Sequence, residues 1–219
     1  PSGCGKSTVA RVVMQLLPLG SFCKGNLLLV GQDPRQLKGE ALRRLRAHAV
    51  GLVFQDPMTR LNPLMTIGDH IIDTLQAHRS DKSLIWIKQH AKSLLERVGI
   101  SPKRFSAYPH EFSGGMRQRL VIALAISLNP SLIIADEPTT SLDVAIADQV
   151  MAELKSLCDE NGSALLLISH DLALASRWCD RISIMDDGQI VEERCFRDFV
   201  ISPQSLIGQR LVRASRDKE

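Results

Sequence analysis

Short apolar runs alternate with helical patterns through the second half of the chain. The runs lie at residues 132–135, 164–168 and 182–185. Strands that alternate with helices are joined by crossover connections, which place them parallel in one sheet with helices against both faces. Asp186-Asp187-Gly188 then predicts a hairpin turn into a further strand at 189–191. This arrangement predicts an α/β fold with a mostly parallel sheet.

The middle of the chain has a different character. Between residues 58 and 129 strand-like runs disappear, and helical patterns cover 67–78, 83–98 and 116–128. The part before it contains two further strand candidates, at residues 26–30 and 50–54. We therefore expect an α/β core formed by residues 1–57 and 130–219, interrupted by a helical subdomain at residues 58–129.

The composition excludes several classes of protein. Hydrophobic residues make up 44% of the 219 residues and charged residues 23%, which is ordinary for a globular protein of one or two domains. A net charge of +3 is too small to indicate a nucleic-acid partner. The five cysteines lack metal-type spacing, so we expect free thiols in a reducing compartment. No apolar run approaches the ~20 residues of a membrane span.

The first eight residues, PSGCGKST, match the end of the phosphate-binding pattern G-x-x-x-x-G-K-[ST]. Gly3 and Gly5 allow backbone amides to point at phosphate oxygens, and the helix that follows adds its positive N-terminal end. Lys6 would reach the β- and γ-phosphates, and the Ser7 hydroxyl would take a magnesium position. The alternative is a glycine-rich turn before a helix. Because the first glycine of the pattern would precede Pro1, we expect the given sequence to start inside the motif, with a strand upstream.

An apolar strand candidate at residues 132–135 ends in two carboxylates, Asp136 and Glu137. In P-loop enzymes an acidic residue at such a position holds magnesium, which is the role we predict for Asp136. Glu137 is placed to polarise a water molecule for attack on the γ-phosphate. Taken alone, the pair is equally typical of a solvated strand end.

A second helix start of similar character lies at Ser113-Gly114-Gly115. A serine and two glycines before an apolar helix form an anion-binding N-terminus. The chain has two such helix starts but only one phosphate-loop lysine, Lys6. The helix start at Ser113 is explained if it closes over a nucleotide that is bound to another copy of the chain.

Three more motif residues complete a pattern that extends over most of the chain: Gln55, Asp143 (in Ser141-Leu142-Asp143) and His170. Together with the earlier segments they resemble the nucleotide-binding subunits of ABC transporters. In that family they would be the Q-loop glutamine, the D-loop aspartate and the switch histidine.

Several details resemble the dipeptide, oligopeptide and nickel import branch of the same family. They are FQDPMTRLNP at residues 54–63, YPHE at residues 108–111, and Met116. Met116 directly follows Gly114 and Gly115, the glycines of the family's signature motif, at a position where most of the superfamily has glutamine. The resemblance implies a P-loop NTPase fold of the RecA-like class with an inserted helical subdomain.

The resemblance also implies a role for each motif residue. Catalysis would rest on Glu137, His170 and Gln55. The ATP-binding residues would be Ser2, Gly3, Cys4, Gly5, Lys6, Ser7 and Thr8. Mg²⁺ would be held by Ser7, Gln55 and Asp136. The partner's ATP would be contacted by Ser113, Gly114, Gly115 and Met116, and Asp143 would belong to the D-loop.

The partners implied by the resemblance are transmembrane permease subunits, a second ATP-binding subunit and, indirectly, an extracytoplasmic solute-binding protein. The chain would then lie peripherally on the cytoplasmic face of the inner membrane, with ATP and Mg²⁺ as its ligands. Three alternatives remain. They are a non-transport ABC ATPase acting in DNA repair or translation, a P-loop kinase for small molecules, and an interaction module without ATPase activity.

Overall fold

Two units make up the described part of the chain. The computed structural model describes residues 3–57 and 60–216. The first unit combines the segment up to Ser21 with the segment from Leu167 onward, and the second is Phe22–Leu166. Met58, at the expected boundary of the helical subdomain, lies outside the described residues, and the domain boundaries inferred from the sequence stay a prediction.

A three-stranded sheet contains a parallel pair of strands from the second unit. β1 (Val50–Val53) pairs in parallel with β2 (Leu132–Asp136), in a register that places Val53 opposite Ala135. β3 (Ala164–Ile168) adjoins β2, so the strand order is β1-β2-β3. The sequence predicts each of these strands to within one residue at either end.

Helices pack against β1 and form the region between β1 and β2. Their bounds are Gly39–Ala49 (α2), Ile67–His78 (α3), Leu84–Arg97 (α4), Gly114–Ile126 (α5) and Val144–Asn161 (α6). Short 3₁₀ helices cover Pro34–Gln36, Pro102–Arg104 and Pro109–Glu111. From residue 60 to residue 129 the described chain contains helices and no strand, as the sequence predicts. Fully buried side chains include Ile67, Leu75, Leu94, Ile122, Ile133 and Ile134.

Short polar side chains cap the starts of α3 and α4. The Thr66 hydroxyl accepts a hydrogen bond from the Asp69 backbone N–H (3.1 Å), and the Asp69 carboxylate accepts one from the Thr66 N–H (3.3 Å). This reciprocal capping satisfies amides that the first turn of α3 leaves unpaired. Ser83 caps α4 by a single bond, in which its hydroxyl accepts from the Trp86 N–H at 3.3 Å.

The first unit contains a hairpin and four helices among its described residues. The elements are α1 (Lys6–Val13), α7 (Leu172–Trp178), β4 (Arg181–Asp186), β5 (Gln189–Cys195), α8 (Phe196–Ile201) and α9 (Leu206–Arg216). β4 and β5 are antiparallel, and Asp187 and Gly188 join them with φ angles of 42° and 76°. Two positive φ angles are typical of a type I′ turn, which confirms the predicted hairpin. Ile184, Phe199 and Val212 form its buried core.

The strand expected at residues 26–30 does not form. Leu29 makes only an isolated bridge with Gln32, with both N–H···O distances between 2.8 and 2.9 Å. Val30 and Gly31 have φ angles of 49° and 77°, so the backbone reverses direction within the apolar run. The prediction from apolar character was wrong because a run of this kind does not reveal left-handed backbone at its end.

A buried carboxylate holds the start of α9. The Glu192 side chain, 3% exposed, accepts hydrogen bonds from the Gln204 N–H (2.9 Å), the Ser205 N–H (2.8 Å) and the Ser205 hydroxyl (2.7 Å). Burial alone would raise the pKa of Glu192, but these donors and Arg194 lower it below its ordinary value. Gly208 leaves space for this contact, since a β-carbon there would lie 2.7 Å from Glu192 Oε2.

Replacing Glu192 with glutamine should lower the free energy of unfolding by about 1–3 kcal/mol, which is the cost of leaving a buried hydrogen-bond donor without its acceptor. Glutamine has one acceptor oxygen, and its amide nitrogen would face an N–H group. The lowered pKa makes the contribution of Glu192 complete above the unfolded pKa of about 4.3. That contribution is lost as pH falls through the lower, folded pKa, so the difference from wild type should shrink in acid. Urea unfolding at several pH values measures this.

Glu193→Gln is the matched control for this experiment. Glu193 is the next residue on β5, its side chain is 52% exposed, and it pairs with Arg181 at the surface. Exposed ion pairs contribute ~0–1 kcal/mol, so this variant should remain close to wild type. Equal losses in both variants, or a Glu192→Gln effect that stays constant in acid, would contradict the assigned role.

Candidate functional site

The glycine-rich loop before α1 adopts a backbone that glycine tolerates best. Gly3 has a φ angle of 90°, and Gly5, the N-cap of α1, has a φ angle of 98°. An L-residue with a side chain is strained at these angles. α1 begins directly at Lys6, so the loop leads into a helix N-terminus, as the sequence predicts. Ser2, also predicted in this loop, lies outside the described residues.

The β4–β5 turn supports this loop from within the same unit. The Gly188 N–H donates to the Cys4 carbonyl oxygen at 3.2 Å. A β-carbon at Gly5 would lie 3.5 Å from Met185 Cε, which is ordinary van der Waals distance. The Cys4 side chain is buried, and Lys6 Nζ donates to its Sγ at 3.6 Å. The loop is therefore held by a hairpin that lies about 180 residues later in the sequence.

Glu137 has an unusual backbone at the end of β2. Asp136 is the last residue of the strand, and Glu137 follows with a φ angle of 51° immediately before Pro138. A positive φ angle is uncommon for a residue other than glycine, and such strain concentrates at functional sites. The Thr140 hydroxyl donates to Glu137 Oε2 at 2.7 Å. This contact orients one oxygen of the Glu137 carboxylate.

Gln55 lies at the same edge of the sheet as these carboxylates. Since Val53 is opposite Ala135 in the parallel register, Gln55 and Glu137 each lie two residues beyond a matched pair. Parallel strands bring their carboxyl ends together, which is where α/β sheets bind ligands. The side chain of Gln55 is exposed. The fold therefore brings together three of the predicted residues: Gln55, Asp136 and Glu137.

The signature loop, residues Ser113–Met116, opens α5. Ser113 is the N-cap, and its hydroxyl accepts from the Met116 N–H at 3.4 Å. The segment before it is held by Arg104, whose guanidinium lies 4.2 Å from the Phe112 ring centroid and donates to the Glu111 carbonyl oxygen at 3.1 Å. The sequence does not indicate this role for Arg104, because its ring partner follows eight residues later across a turn.

Asp143 begins α6 in a similar way. Its carboxylate accepts a hydrogen bond from the Ile146 N–H at 3.0 Å, which makes it the N-cap of α6. A β-carbon at Gly114 would lie 3.4 Å from Leu142 Cδ2. The signature loop and the segment ending at Asp143 are thus neighbours within the second unit.

His170 follows β3 by two residues in the first unit, and its side chain is exposed. The next residue, Asp171, caps α7 by accepting from the Leu174 N–H at 3.0 Å, and its own N–H donates to the Ser169 hydroxyl at 3.0 Å. These contacts fix the backbone on one side of His170. The glycine-rich loop also belongs to this unit, whereas Gln55, Asp136, Glu137, Asp143 and the signature loop belong to the second.

Two features are not found in the part of the chain that the structure describes. Over residues 3–57 and 60–216, no cluster of three or more His, Cys, Asp or Glu side chains has the arrangement of a metal site. In the same residues, no helix has both the length and the apolar character required to cross a bilayer.

Residues 1–140 match the family model described as ABC transporter, and this match covers more than half of the chain. The chain belongs to the ABC transporter family. The oligopeptide transport ATP-binding protein OppD of Bacillus subtilis is 42% identical to this ABC protein over 207 residues, which cover 93% of the chain and 58% of OppD. The probable D,D-dipeptide transport ATP-binding protein DdpD of Escherichia coli is also 42% identical over 207 residues, which cover 93% of the chain and 63% of DdpD.

Solved structures of ATP-binding cassettes have the same fold as this ABC protein. The dimeric cassette MJ0796 in a post-hydrolysis state, bound to ADP and Pi, aligns with a TM-score of 0.77 and 29% identity over 90% of this chain and 83% of that one. The predicted family and α/β fold class are confirmed. The chain spans 58% and 63% of the length of OppD and DdpD. The roles of the individual site residues stay predictions.

Proposed function

We propose that this chain is the ATP-binding and ATP-hydrolysing subunit of an ABC importer for peptides or a related small solute. The observation that carries the proposal is the backbone of Glu137, held at a φ angle of 51° beside Asp136 at the edge of the sheet where Gln55 also lies. Such a constellation suits the attack of water on a terminal phosphate, because a carboxylate there can orient the water and accept its proton.

The glycine-rich loop would bind the nucleotide phosphates. Its positive φ angles at Gly3 and Gly5 and the N-terminus of α1 provide amide groups and a partial positive charge for phosphate oxygens. Lys6 would leave its contact with Cys4 to reach the β- and γ-phosphates. Ser2, Ser7 and Thr8 would complete the contacts of the loop.

The proposed magnesium ligands have the right chemistry for that ion. The Ser7 hydroxyl, the Gln55 side-chain carbonyl and the Asp136 carboxylate are all hard oxygen donors, which Mg²⁺ prefers over nitrogen or sulfur. The ion would neutralise charge on the phosphates. Glu137 would orient the attacking water, and His170 and Gln55 would contact the γ-phosphate and the water respectively.

The signature loop and Asp143 would act on the nucleotide of a second subunit. The helix starts capped by Ser113 and Asp143 are neighbours in the second unit. The start of α5, which has a neutral serine cap and two glycines, is the one that favours an anion. The dimeric form of the MJ0796 cassettes supports this arrangement. ATP would then lie between the glycine-rich loop of one subunit and residues Ser113–Met116 of the other.

The proposed partners are transmembrane permease subunits, a second ATP-binding subunit of the same or a related chain, and a solute-binding protein outside the membrane. The subunit would lie at the cytoplasmic face of the inner membrane. The names of OppD and DdpD, which refer to oligopeptide and D,D-dipeptide transport, support peptides as the solute class. The helical segment at residues 58–129 would be the signature subdomain.

Lys6→Ala tests the nucleotide site directly. Loss of a charged donor to phosphate is expected to raise the dissociation constant for ATP by about 10- to 100-fold, equivalent to ~1.5–3 kcal/mol. Equilibrium binding of a fluorescent ATP analogue and phosphate release from the full chain measure the two effects. Lys88→Ala, which removes an exposed lysine from α4, should change neither. Unchanged ATP affinity in Lys6→Ala would contradict the proposed function.

A further inference from the structure

We infer that Ile146 is a positioning residue that acts through Gly115. Contact between the first turns of α5 and α6 fixes the distance and orientation of the signature loop relative to the Asp143 segment. The inference rests on the proposed function for the meaning of those two loops, but the contact itself is independent of any nucleotide. It assigns Gly115 a role inside its own chain, in addition to any contact with the partner's ATP.

The two helices approach closely at Gly115. A β-carbon at Gly115 would lie 2.7 Å from Ile146 Cγ2, whereas one at Gly114 would lie at an ordinary 3.4 Å from Leu142 Cδ2. Carbon atoms in contact are normally separated by ~3.5–4.0 Å. Alanine at Gly115 therefore collides with Ile146, but alanine at Gly114 does not collide with Leu142.

Ile146 cannot easily move out of the way. Its side chain is β-branched, which leaves one strongly preferred χ1 rotamer in a helix. Its backbone is held by the N-cap of α6, since the Ile146 N–H donates to the Asp143 carboxylate at 3.0 Å. A side chain at position 115 therefore forces the first turns of α5 and α6 apart, and with them Ser113 and Asp143.

A second contact further along the helices keeps the same pairing. Arg119 Nε lies 3.2 Å from Glu153 Oε2. A β-carbon at Gly99 would lie only 2.4 Å from Arg119 Nη1, so Gly99 leaves room for this arginine. From Gly115 to Arg119 α5 advances about 6 Å, and from Ile146 to Glu153 α6 advances about 10.5 Å, at 1.5 Å per residue.

Both contacts occur in the same order along the two helices, so α5 and α6 run in the same general direction. Their N-termini therefore lie at the same end of the pair, where Ser113 caps one helix and Asp143 caps the other. A displacement of either first turn would change the spacing between these two caps. This is why the contact at Gly115 determines how both loops are presented.

Four variants of the full chain test the inference. Gly115→Ala is expected to lower the thermal midpoint by about 4–8 °C, the shift for an overpacked contact in a chain of this size. Adding Ile146→Ala removes Cγ2 and should restore most of the loss. Adding Ile146→Val instead keeps Cγ2 and removes only Cδ1, so it should restore little. Gly114→Ala should remain close to wild type in stability.

Amide hydrogen exchange measured without nucleotide tests directly whether the first turns of α5 and α6 hold their positions. In Gly115→Ala, amide exchange at residues 117–119 and 147–149 should accelerate together by about tenfold, as expected for local opening of both first turns. Ile146→Ala should reverse it in both segments, and Ile146→Val should not. Exchange that changes in α5 alone, or equal rescue by alanine and valine, would overturn the inference.

ATP-dependent self-association separates this inference from the proposed function. In Gly115→Ala, ATP-dependent association and the thermal midpoint should both fall. In the double variant that adds Ile146→Ala, both should recover. If stability and exchange recover while association stays lost, the added methyl group also obstructs the partner's nucleotide directly, and the recovery of exchange still supports the positioning role. If wild type itself does not associate with ATP, the proposed function fails, and the exchange result alone decides the packing inference.

Discussion

Replacing Glu137 with glutamine is expected to lower ATP turnover by at least ~10²-fold, the low end of effects from removing a general base. The glutamine amide has the same size as the carboxylate. Its carbonyl oxygen can still accept the hydrogen bond that the Thr140 hydroxyl donates to Glu137 Oε2 at 2.7 Å. It cannot take a proton from water. ATP binding should therefore be retained, and ATP-bound dimers should accumulate because they close without hydrolysis.

Phosphate release and size-exclusion chromatography with ATP measure the two consequences of Glu137→Gln. Glu160→Gln is the matched control, since Glu160 lies on the exposed side of α6 with its side chain 57% accessible. That variant should hydrolyse ATP at the wild-type rate. Turnover of Glu137→Gln within twofold of wild type would exclude Glu137 as the base.

Replacing Gly51 with alanine is expected to lower the free energy of unfolding by about 3 kcal/mol, at the upper end of the range for overpacking. Gly51 lies within β1, and a β-carbon there would lie 2.3 Å from the carbonyl oxygen of Ala125 and 2.7 Å from Ile133 Cδ1. A backbone oxygen cannot rotate away, so β1 and α5 would have to separate. For a chain of this length such a loss corresponds to a drop in thermal midpoint of about 6–12 °C.

Circular dichroism during heating measures the effect of Gly51→Ala. Gly114→Ala is again a suitable comparison for stability, because its new methyl group meets Leu142 at 3.4 Å and nothing closer. The two variants make the same chemical change, so a difference between them reports the space around each glycine. Equal midpoints would show that α5 moves away from β1 at little cost.

The sequence predicts the elements of this fold well where the signal is local. Apolar runs at residues 132–135 and 164–168 became strands, and the hairpin at Asp187-Gly188 formed as predicted. The helix starts at Ser113 and Asp143 are equally local, because an N-cap side chain contacts an amide three residues later. The glycine-rich loop belongs to the same class, since its glycines predict left-handed backbone directly.

Local sequence patterns were insufficient where the structure depends on the sign of a φ angle or on residues distant in sequence. The positive φ angles at Val30 and Gly31 turned an apolar run into a bend, and the positive φ angle at Glu137 was not indicated by its carboxylate. The support of Cys4 by Gly188 likewise depends on the fold, since 184 residues (188 − 4) separate the two.

What the sequence by itself determined is the order of strands, helices and motif residues, because periodicity, capping and glycine preference act within a few residues. Only the tertiary structure decided which surfaces of those elements meet. Gly115 is one of two adjacent signature glycines, yet it alone of the pair faces a methyl group at a distance that excludes a side chain. That difference depends on the packing of α5 against α6, and helices distant in sequence acquire their mutual register only when the core closes around them.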